Sequence, residues 1–431
     1  MTDGLNRKAT AMFVALAKRS PPGASGGLSF LQFALAALFC FFSPDSHAQL
    51  KTEDLLELAK PISQQIQTPS HDVVWCGPDT LVSAVVVGES ARDQRTSLKY
   101  TDLKTGRTWT RDLEGARTLL ACSATGAAIV SVEPVSLRTS NVVFDDLDAN
   151  SRVTLAAGVV VLGVDSSGRS LVVAAKDAEK IELGDLQYFD LGGPGGNKPL
   201  KLSALLPSIS ERSVVANAAV NQTLVSVLFW PPTRSDTRIE SNADLKLAMM
   251  DTRSGASRII APPAVSARWY APVSVEVWEA HAILSGWSPH ENVFEFIKCS
   301  FNVETPPTGS ICGAVTSVFF DVHSPPIPPL VSERLVLALG SQGCDYLVAY
   351  RREAMWEYSD TACLTTQTPT YVGVEPGIEA VLSPDRKKLA IIAVRAGDHD
   401  ANTARRRFVE ENTWLVFSVS DFIRLLSKRR G

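Results

Sequence analysis

The sequence predicts an all-β chain built from repeated four-stranded sheets, and three observations support that reading. First, an alternating strand that ends in Asp and then turns on Gly or Asn recurs along the chain. It reads Leu-Lys-Tyr-Thr-Asp102-Leu-Lys-Thr-Gly106, Val-Val-Phe-Asp-Asp146-Leu-Asp-Ala-Asn150, Leu-Gln-Tyr-Phe-Asp190-Leu-Gly-Gly and Leu-Ala-Met-Met-Asp251-Thr-Arg-Ser-Gly255. The first three aspartates are spaced 44 residues apart, the period of one sheet in a radial stack. Second, a pair of apolar strands around a small polar turn opens each repeat, as in the segments around Pro78, Thr125 and Ser167, with later copies turning near Asn221, Pro289, Gly343 and Pro384. Third, everything beyond Pro61 reads as short strands. Together these describe a seven-bladed β-propeller with a short N-terminal helix.

Taken in order, residues 1–48 read as a signal peptide and residues 49–431 as a single propeller domain. A basic region (Arg7, Lys8, Lys18, Arg19) precedes an apolar run from Leu28 to Phe42, and Ser46-His47-Ala48 places small residues where a signal peptidase cuts, between Ala48 and Gln49. The run is 15 residues, short of the roughly 18 to 20 that cross a bilayer, and Phe39 before Cys40 does not suit a lipid-attachment signal. Met12 is a second candidate start. The helix is expected over Thr52 to Lys60, with acids in its first turn and Pro61 ending it.

Beyond it, near-continuous apolar pairs fit inner strands covered on both faces, while the alternating third strand lies nearer the rim. Gly106, Asn150 and Gly255 supply left-handed backbone after the Asp, and the Asp itself is expected to accept hydrogen bonds from its own turn. The last strand phrase is Thr413 to Asp421, followed only by a basic tail. Ring closure therefore predicts that Pro61 to Ser70 supplies the outer strand of the last repeat.

Four of the 42 basic and two of the 46 acidic residues leave with the first 48, so the net charge moves from −4 to −6. That balance argues against a nucleic-acid partner. No segment after Phe42 is apolar for long enough to serve as a transmembrane anchor. A periplasmic or secreted location follows from the signal peptide. Six of the seven cysteines lie in the mature chain, an even number suited to an oxidising compartment. Cys299 and Cys312 flank the turn around Thr305 to Gly309, Cys344 and Cys363 flank Arg351 to Ala354, and Cys76 is left with Cys122, both on first strands of neighbouring repeats. These are the disulfide candidates.

Two stretches carry a family likeness. Ser383-Pro-Asp-Arg-Lys-Lys-Leu-Ala-Ile-Ile392 resembles the repeat of TolB-type and prolyl-oligopeptidase-type propellers. Asp102-Leu-Lys-Thr-Gly-Arg-Thr-Trp109 is similar to turns in quinoprotein and WD-repeat propellers. The resemblance implies the propeller superfamily, whose commonest work is scaffolding or binding of peptides and proteins. It carries over no site residue.

Catalytic motifs are scarce. The Gly-x-Ser-x-Gly at Gly23 to Gly27 lies in the signal peptide, and there is no Cys-x-x-Cys, His-Glu-x-x-His or phosphate loop. No catalytic residue, metal site or cofactor is expected. Loop length points instead to binding. The connections from second to third strand are long at Trp230 to Glu240 and at Arg395 to Asn412, and they open on the face shared by the inter-repeat connection His323 to Leu330. Trp230 is expected there as an exposed anchor, and Arg234, Arg405, Arg406 and Arg407 as partners for an acidic group. The function read from the sequence is an exported protein- or peptide-binding scaffold. Its alternatives are a propeller enzyme of lactonase or quinoprotein type with scattered ligands, and a structural subunit of an envelope complex.

Overall fold

The computed structural model describes residues 64–67, 72–88, 93–136, 139–175, 180–191, 198–232, 244–262, 270–278, 280–288, 293–301, 311–313, 316–319, 330–331, 335–339, 346–352, 355–361, 380–393 and 413–427. Their strands form antiparallel four-stranded units taken up one after another along the chain. The first unit is β2 (Asp72–Cys76), β3 (Thr80–Val87), β4 (Arg95–Asp102) and β5 (Thr108–Glu114), paired in that order. Next come β6 (Thr118–Cys122), β7 (Ala128–Pro134), β8 (Ser140–Asp146) and the long β9 (Ser151–Val164). β9 serves two units: Ser151 to Val159 pair with β8, and Val160 to Val164 pair with β10 (Ser170–Ala174). Gly158, at φ 64°, stands where the strand passes from one duty to the other. β11 (Leu186–Asp190) and β12 (Leu200–Lys201) complete the third unit.

β13 (Val214–Asn221), β14 (Leu224–Trp230), β15 (Lys246–Asp251) and β16 (Ser257–Ile260) form the fourth. β17 (Tyr270–Trp278), β18 (His281–Ser288), β19 (Val293–Ser300) and β20 (Thr316–Phe319) follow, then β21 (Leu330–Val331), β22 (Leu335–Leu339), β23 (Tyr346–Arg352) and β24 (Met355–Thr361). The last unit is β25 (Ala380–Leu382), β26 (Lys388–Ala393) and β27 (Thr413–Ser418), with β1 (Gln64–Gln67) from the other end of the chain as its outer strand. This is a β-propeller closed by an N-terminal strand, as the shortage of a fourth strand at the C-terminus predicts.

The core lies between consecutive sheets. Tyr100 and Leu98 of the first unit pack with Leu119 and Ile129 of the second, Val130 and Val142 of the second with Leu171 and Phe189 of the third, and Leu186 and Tyr188 of the third with Val225 and Val227 of the fourth. Trp414, Val416 and Ile66 of the last unit pack with Trp75, Val73 and Leu103 of the first, so the same kind of seam closes the ring. There Trp75 Nε1 donates to the Val381 carbonyl at 3.2 Å. The third and fourth units approach closely at Gly163, where an added Cβ would sit 2.8 Å from the Ala218 carbonyl oxygen and 2.9 Å from Ala219 Cα.

The recurring phrase acquires an atomic meaning. Asp102 Oδ1 accepts from the Lys104 and Thr105 amides at 2.8 and 3.2 Å, Asp146 Oδ1 from Asp148 and Ala149 at 3.1 and 2.9 Å, and Asp251 Oδ1 from Arg253 at 3.1 Å. Gly106, Asn150 and Gly255 follow at φ 69°, 49° and 72°. The Asp is a turn brace, as expected. The next residue extends the ladder: Leu103, Leu147 and Leu191 donate to the carbonyls of Asp79, Ala127 and Arg169 at 2.7 to 2.8 Å. Two residues before the Asp, the Tyr100 hydroxyl reaches the Gly126 carbonyl of the next unit at 3.3 Å, and Tyr188 reaches Gln222 at 3.4 Å. Burial raises the pKa of both phenols, to about 12 for Tyr100. They remain donors.

Disulfides join Cys76 to Cys122 and Cys299 to Cys312. The first ties β2 to β6, which run parallel at that position, and the second crosses an antiparallel bridge. Cys344 and Cys363 lie outside the described residues, as does the helix expected over 52–60.

Three expectations are corrected. The turns near Pro289 and Gly343 join second to third strands, not first to second, because β17 with β18 and β21 with β22 already form the preceding pairs. After Ser418 the chain is not strand followed by a bare tail but the helix α2 (Val419–Ser427), while α1 (Leu202–Leu205) is a single turn. The Asp421 amide donates to Ser418 Oγ at 3.0 Å and Ser418 Oγ donates to Asp421 Oδ2 at 2.8 Å, a cap that starts α2 and turns Phe422 and Ile423 inward. Trp230, expected as an exposed anchor, is half-buried against the cluster of Leu224, Leu228 and Leu247.

The seams are open to direct test. Gly163→Ala forces backbone apart and is expected to cost about 1 to 3 kcal/mol in denaturant unfolding. At the closing seam Lys104, 2.6 Å away, and then Lys388 of the last unit hold the Asp79 carboxyl below its ordinary range. With the folded value depressed, the stabilisation is present above the unfolded value of about 3.9 and is lost as pH falls through the lower folded value. Asp79→Asn therefore lowers the melting temperature at pH 7, and the gap to the native chain closes below about pH 3.9 in melts run across pH.

Candidate functional site

In an antiparallel meander the turns alternate between two ends, so first-to-second and third-to-fourth turns share one face and the remaining connections share the other. On the first of these faces, turns from several units surround a cavity of about 490 Å³. The turn between β9 and β10 contributes Asp165, Ser166 and Ser167, and the turn between β13 and β14 contributes Asn221, Gln222 and Thr223. Trp278 and Ala280 come from the β17–β18 turn, and Pro384, Asp385 and Lys387 from the β25–β26 turn. Asp251 and Phe301 enter from the ends of third strands.

The turns are built alike and end differently. In Ser123-Ala-Thr-Gly126 and Asp165-Ser-Ser-Gly168 the fourth residue donates to the first carbonyl at 2.9 and 2.8 Å, and its φ is 75° and 67°. In Ser383-Pro-Asp-Arg386 the same bond is 2.7 Å, but an arginine holds the left-handed position at φ 54°. Gln222 does likewise in its tighter turn at φ 52°. A side chain there costs about 1 to 2 kcal/mol of backbone energy.

The Arg386 side chain reaches past its own unit. Its Nη2 lies 2.9 Å from Glu276 Oε2 on β17, and its guanidinium carbon 5.5 Å from the Trp278 ring centre. Lys298 Nζ stands 5.1 Å from the same ring. Burial pushes the Glu276 carboxyl above its ordinary value even though Arg386 pulls it down. Burial also pushes Asp251 up, but bonds from Ser254, Thr223 and the Arg253 and Ser254 amides together bring it below the usual range. Asp165 is buried to 1% exposure and accepts from the Ser167 hydroxyl. Asp385 accepts from Ser383 Oγ at 2.7 Å and from the Lys387 amide at 3.2 Å. The wall is thus acidic, hydroxylated and amide-bearing, with one indole. Among the described residues no group of three His, Cys, Asp or Glu is placed to hold a metal ion.

This is not where loop length points. Trp230 ends β14, the opposite end from Gln222, so the expected binding face and the cavity are on opposite faces. Arg234, Arg405, Arg406 and Arg407 lie outside the described residues. Sequence reasoning misses Gln222, Trp278 and Arg386, and the signal that marks Arg386 is visible only when the turns are superposed: a Gly position filled by something else.

No family model matches the chain, and no curated protein sequence does. Among solved structures it is similar to an oligogalacturonate lyase in complex with manganese (11% identity, 83% of this chain and 98% of that one, TM-score 0.42). It is also similar to the polysaccharide lyase Uly1 (11%, 81% and 90%, TM-score 0.46) and to TolB from Acinetobacter baumannii (10%, 78% and 80%, TM-score 0.35). The propeller assignment rests on the strand pairing above.

Arg386→Gly keeps the turn but leaves the half-buried Glu276 without its cation. It is expected to lower stability by about 1 kcal/mol and to shift tryptophan emission, and adding Glu276→Gln should restore part of the loss in thermal melts.

Proposed function

We propose that this chain is an exported seven-bladed β-propeller acting as a binding scaffold for a protein or peptide partner in the periplasm or outside the cell. The observation that carries this reading is the contrast between ladders and connections. β14 and β15 pair without interruption from Leu224 with Asp251 to Phe229 with Lys246, although residues 231–245 separate them. β26 and β27 pair as continuously from Lys388 with Ser418 to Ala393 with Thr413, across residues 394–412. The equivalent connections in the first two units, residues 88–94 and 135–139, are short. The sheets need neither insertion, and both leave from one face, so their length is available for recognition. Arg234 and Arg405 to Arg407 would meet an acidic group on the partner, with Trp230 packed at the root of the first insertion.

The seven-unit count is supported by the four-stranded groups and by the apolar seam between last and first. Export is supported by the signal-type N-terminus and by two disulfides, which suit an oxidising compartment.

Replacing residues 395–411 by a short Gly-Ser turn is expected to leave the melting temperature within about 2 °C while abolishing specific cross-linking to an envelope partner. Undiminished cross-linking sinks the reading.

A further inference from the structure

We propose that the cavity is a saccharide site, shaped for a sugar unit that carries no negative charge. It is separate from the insertion-face partner and lies at the other end of the strands.

Three features carry this. The first is the chemistry of the wall. A sugar ring offers hydroxyls, each donor and acceptor at once, around an apolar C–H surface. Its natural complement is a set of planar carboxylates and amides, which take or give two bonds at a time, beside an aromatic wall. Asp385, Asn221 and Gln222 supply the first, from two separate units, with the buried Asp165 behind them bonded to Ser167, and Trp278 supplies the second. Trp278 is fixed from its own unit by Lys298 and across the ring by Arg386, so the wall is set before a ligand arrives. The volume of about 490 Å³ falls within the roughly 300 to 1,000 Å³ of small-molecule pockets.

The second feature is the backbone. Three non-glycine residues among those described have positive φ: Asn150, Gln222 and Arg386. Asn150 serves a third-to-fourth turn. The other two stand at the cavity, Gln222 in its wall and Arg386 between Asp385 and Lys387. Sister turns place Gly126 and Gly168 where Arg386 stands, and the turn after β2 places Gly77, at φ 72°, where Gln222 stands as the first residue after its strand. An amide side chain kept at such a position, against the local conformational preference, points to use. The Gln222 carbonyl is gripped by Ser170 Oγ at 2.8 Å and by the Tyr188 hydroxyl at 3.4 Å. The turn that presents its amide is therefore held by the neighbouring unit.

The third feature is charge. Among the lining residues Asp165, Asp251 and Asp385 stand with one ammonium, Lys387, and of the two cations at Trp278, Lys298 and Arg386, the latter is paired with Glu276. A uronic acid or a phosphorylated sugar would meet net repulsion in a partly desolvated site, whereas neutral and amino-substituted sugars would not.

The test uses the mature chain and titration calorimetry against a fixed panel: cellotetraose, tetra-N-acetylchitotetraose, chitotetraose, trigalacturonate and a Lys-containing tetrapeptide. Binding of at least one of the first three is expected, with trigalacturonate and the peptide silent. Gln222→Gly, which puts glycine at the left-handed position as Gly77 does after β2, should weaken that binding at least tenfold while leaving the melting temperature equal or higher. Silence of all three neutral or amino sugars overturns the proposal. So does preferred binding of trigalacturonate or of the peptide, and so does unchanged sugar affinity in Gln222→Gly. A chain lacking residues 395–411 should retain sugar binding, which separates failure of this site from failure of the partner-binding reading.

Discussion

A four-stranded sheet that is apolar on both faces cannot stand in water by itself, and that constraint organises this molecule. Each sheet covers its neighbour, and the sequence of covered faces has no end unless the last meets the first. The packing of Trp414 and Ile66 against Trp75 and Leu103 provides that meeting. β1 completes the sheet there, since among the described residues the C-terminal unit supplies three strands, β25, β26 and β27. Two polar contacts between buried or half-buried groups, Trp75 to Val381 and Asp79 to Lys388, cross the same seam.

Most of this is legible because the repeat writes its turn chemistry openly. Asp followed by Gly or Asn marks the end of the third strand in the first four units, and at Asp102, Asp146 and Asp251 the reason is local, the carboxylate bonding its own turn. The Tyr two residues earlier is visible as part of the phrase, but its role is not, since the acceptor belongs to the next unit. Strand pairs are misassigned where the turn is made without Gly, Pro, Asn or Asp. Ser274 to Trp287 reads either as one long strand or as two, because Trp278-Glu279-Ala280-His281 holds no turn residue, and β21 is only two residues long, too short to show alternation. The C-terminal helix escapes sequence reading although Ser418-Val-Ser-Asp421 has the spacing of a capping pair. The apolar run from Trp414 to Phe417 masks it, because Val419 beyond Ser418 reads as one more residue of the same strand.

The cavity is illegible for a different reason. Its residues come one turn at a time from positions far apart, and each alone is ordinary. What distinguishes Gln222 and Arg386 is the conformation they hold, which a sequence shows only when the turns are compared with one another. Loop length draws attention to the other face because insertions are conspicuous in a chain, whereas a glycine replaced in a hairpin is not.

The long strand β9 and the Cys76–Cys122 bond have a mechanical meaning. One joins the second and third units through a single continuous backbone, and the other ties the inner strands of the first and second. Three consecutive sheets are thereby welded into one arc. The first seam beyond that arc, between β9 and β13, lies beside the cavity, and there Gly163 packs directly against Ala218 and Ala219.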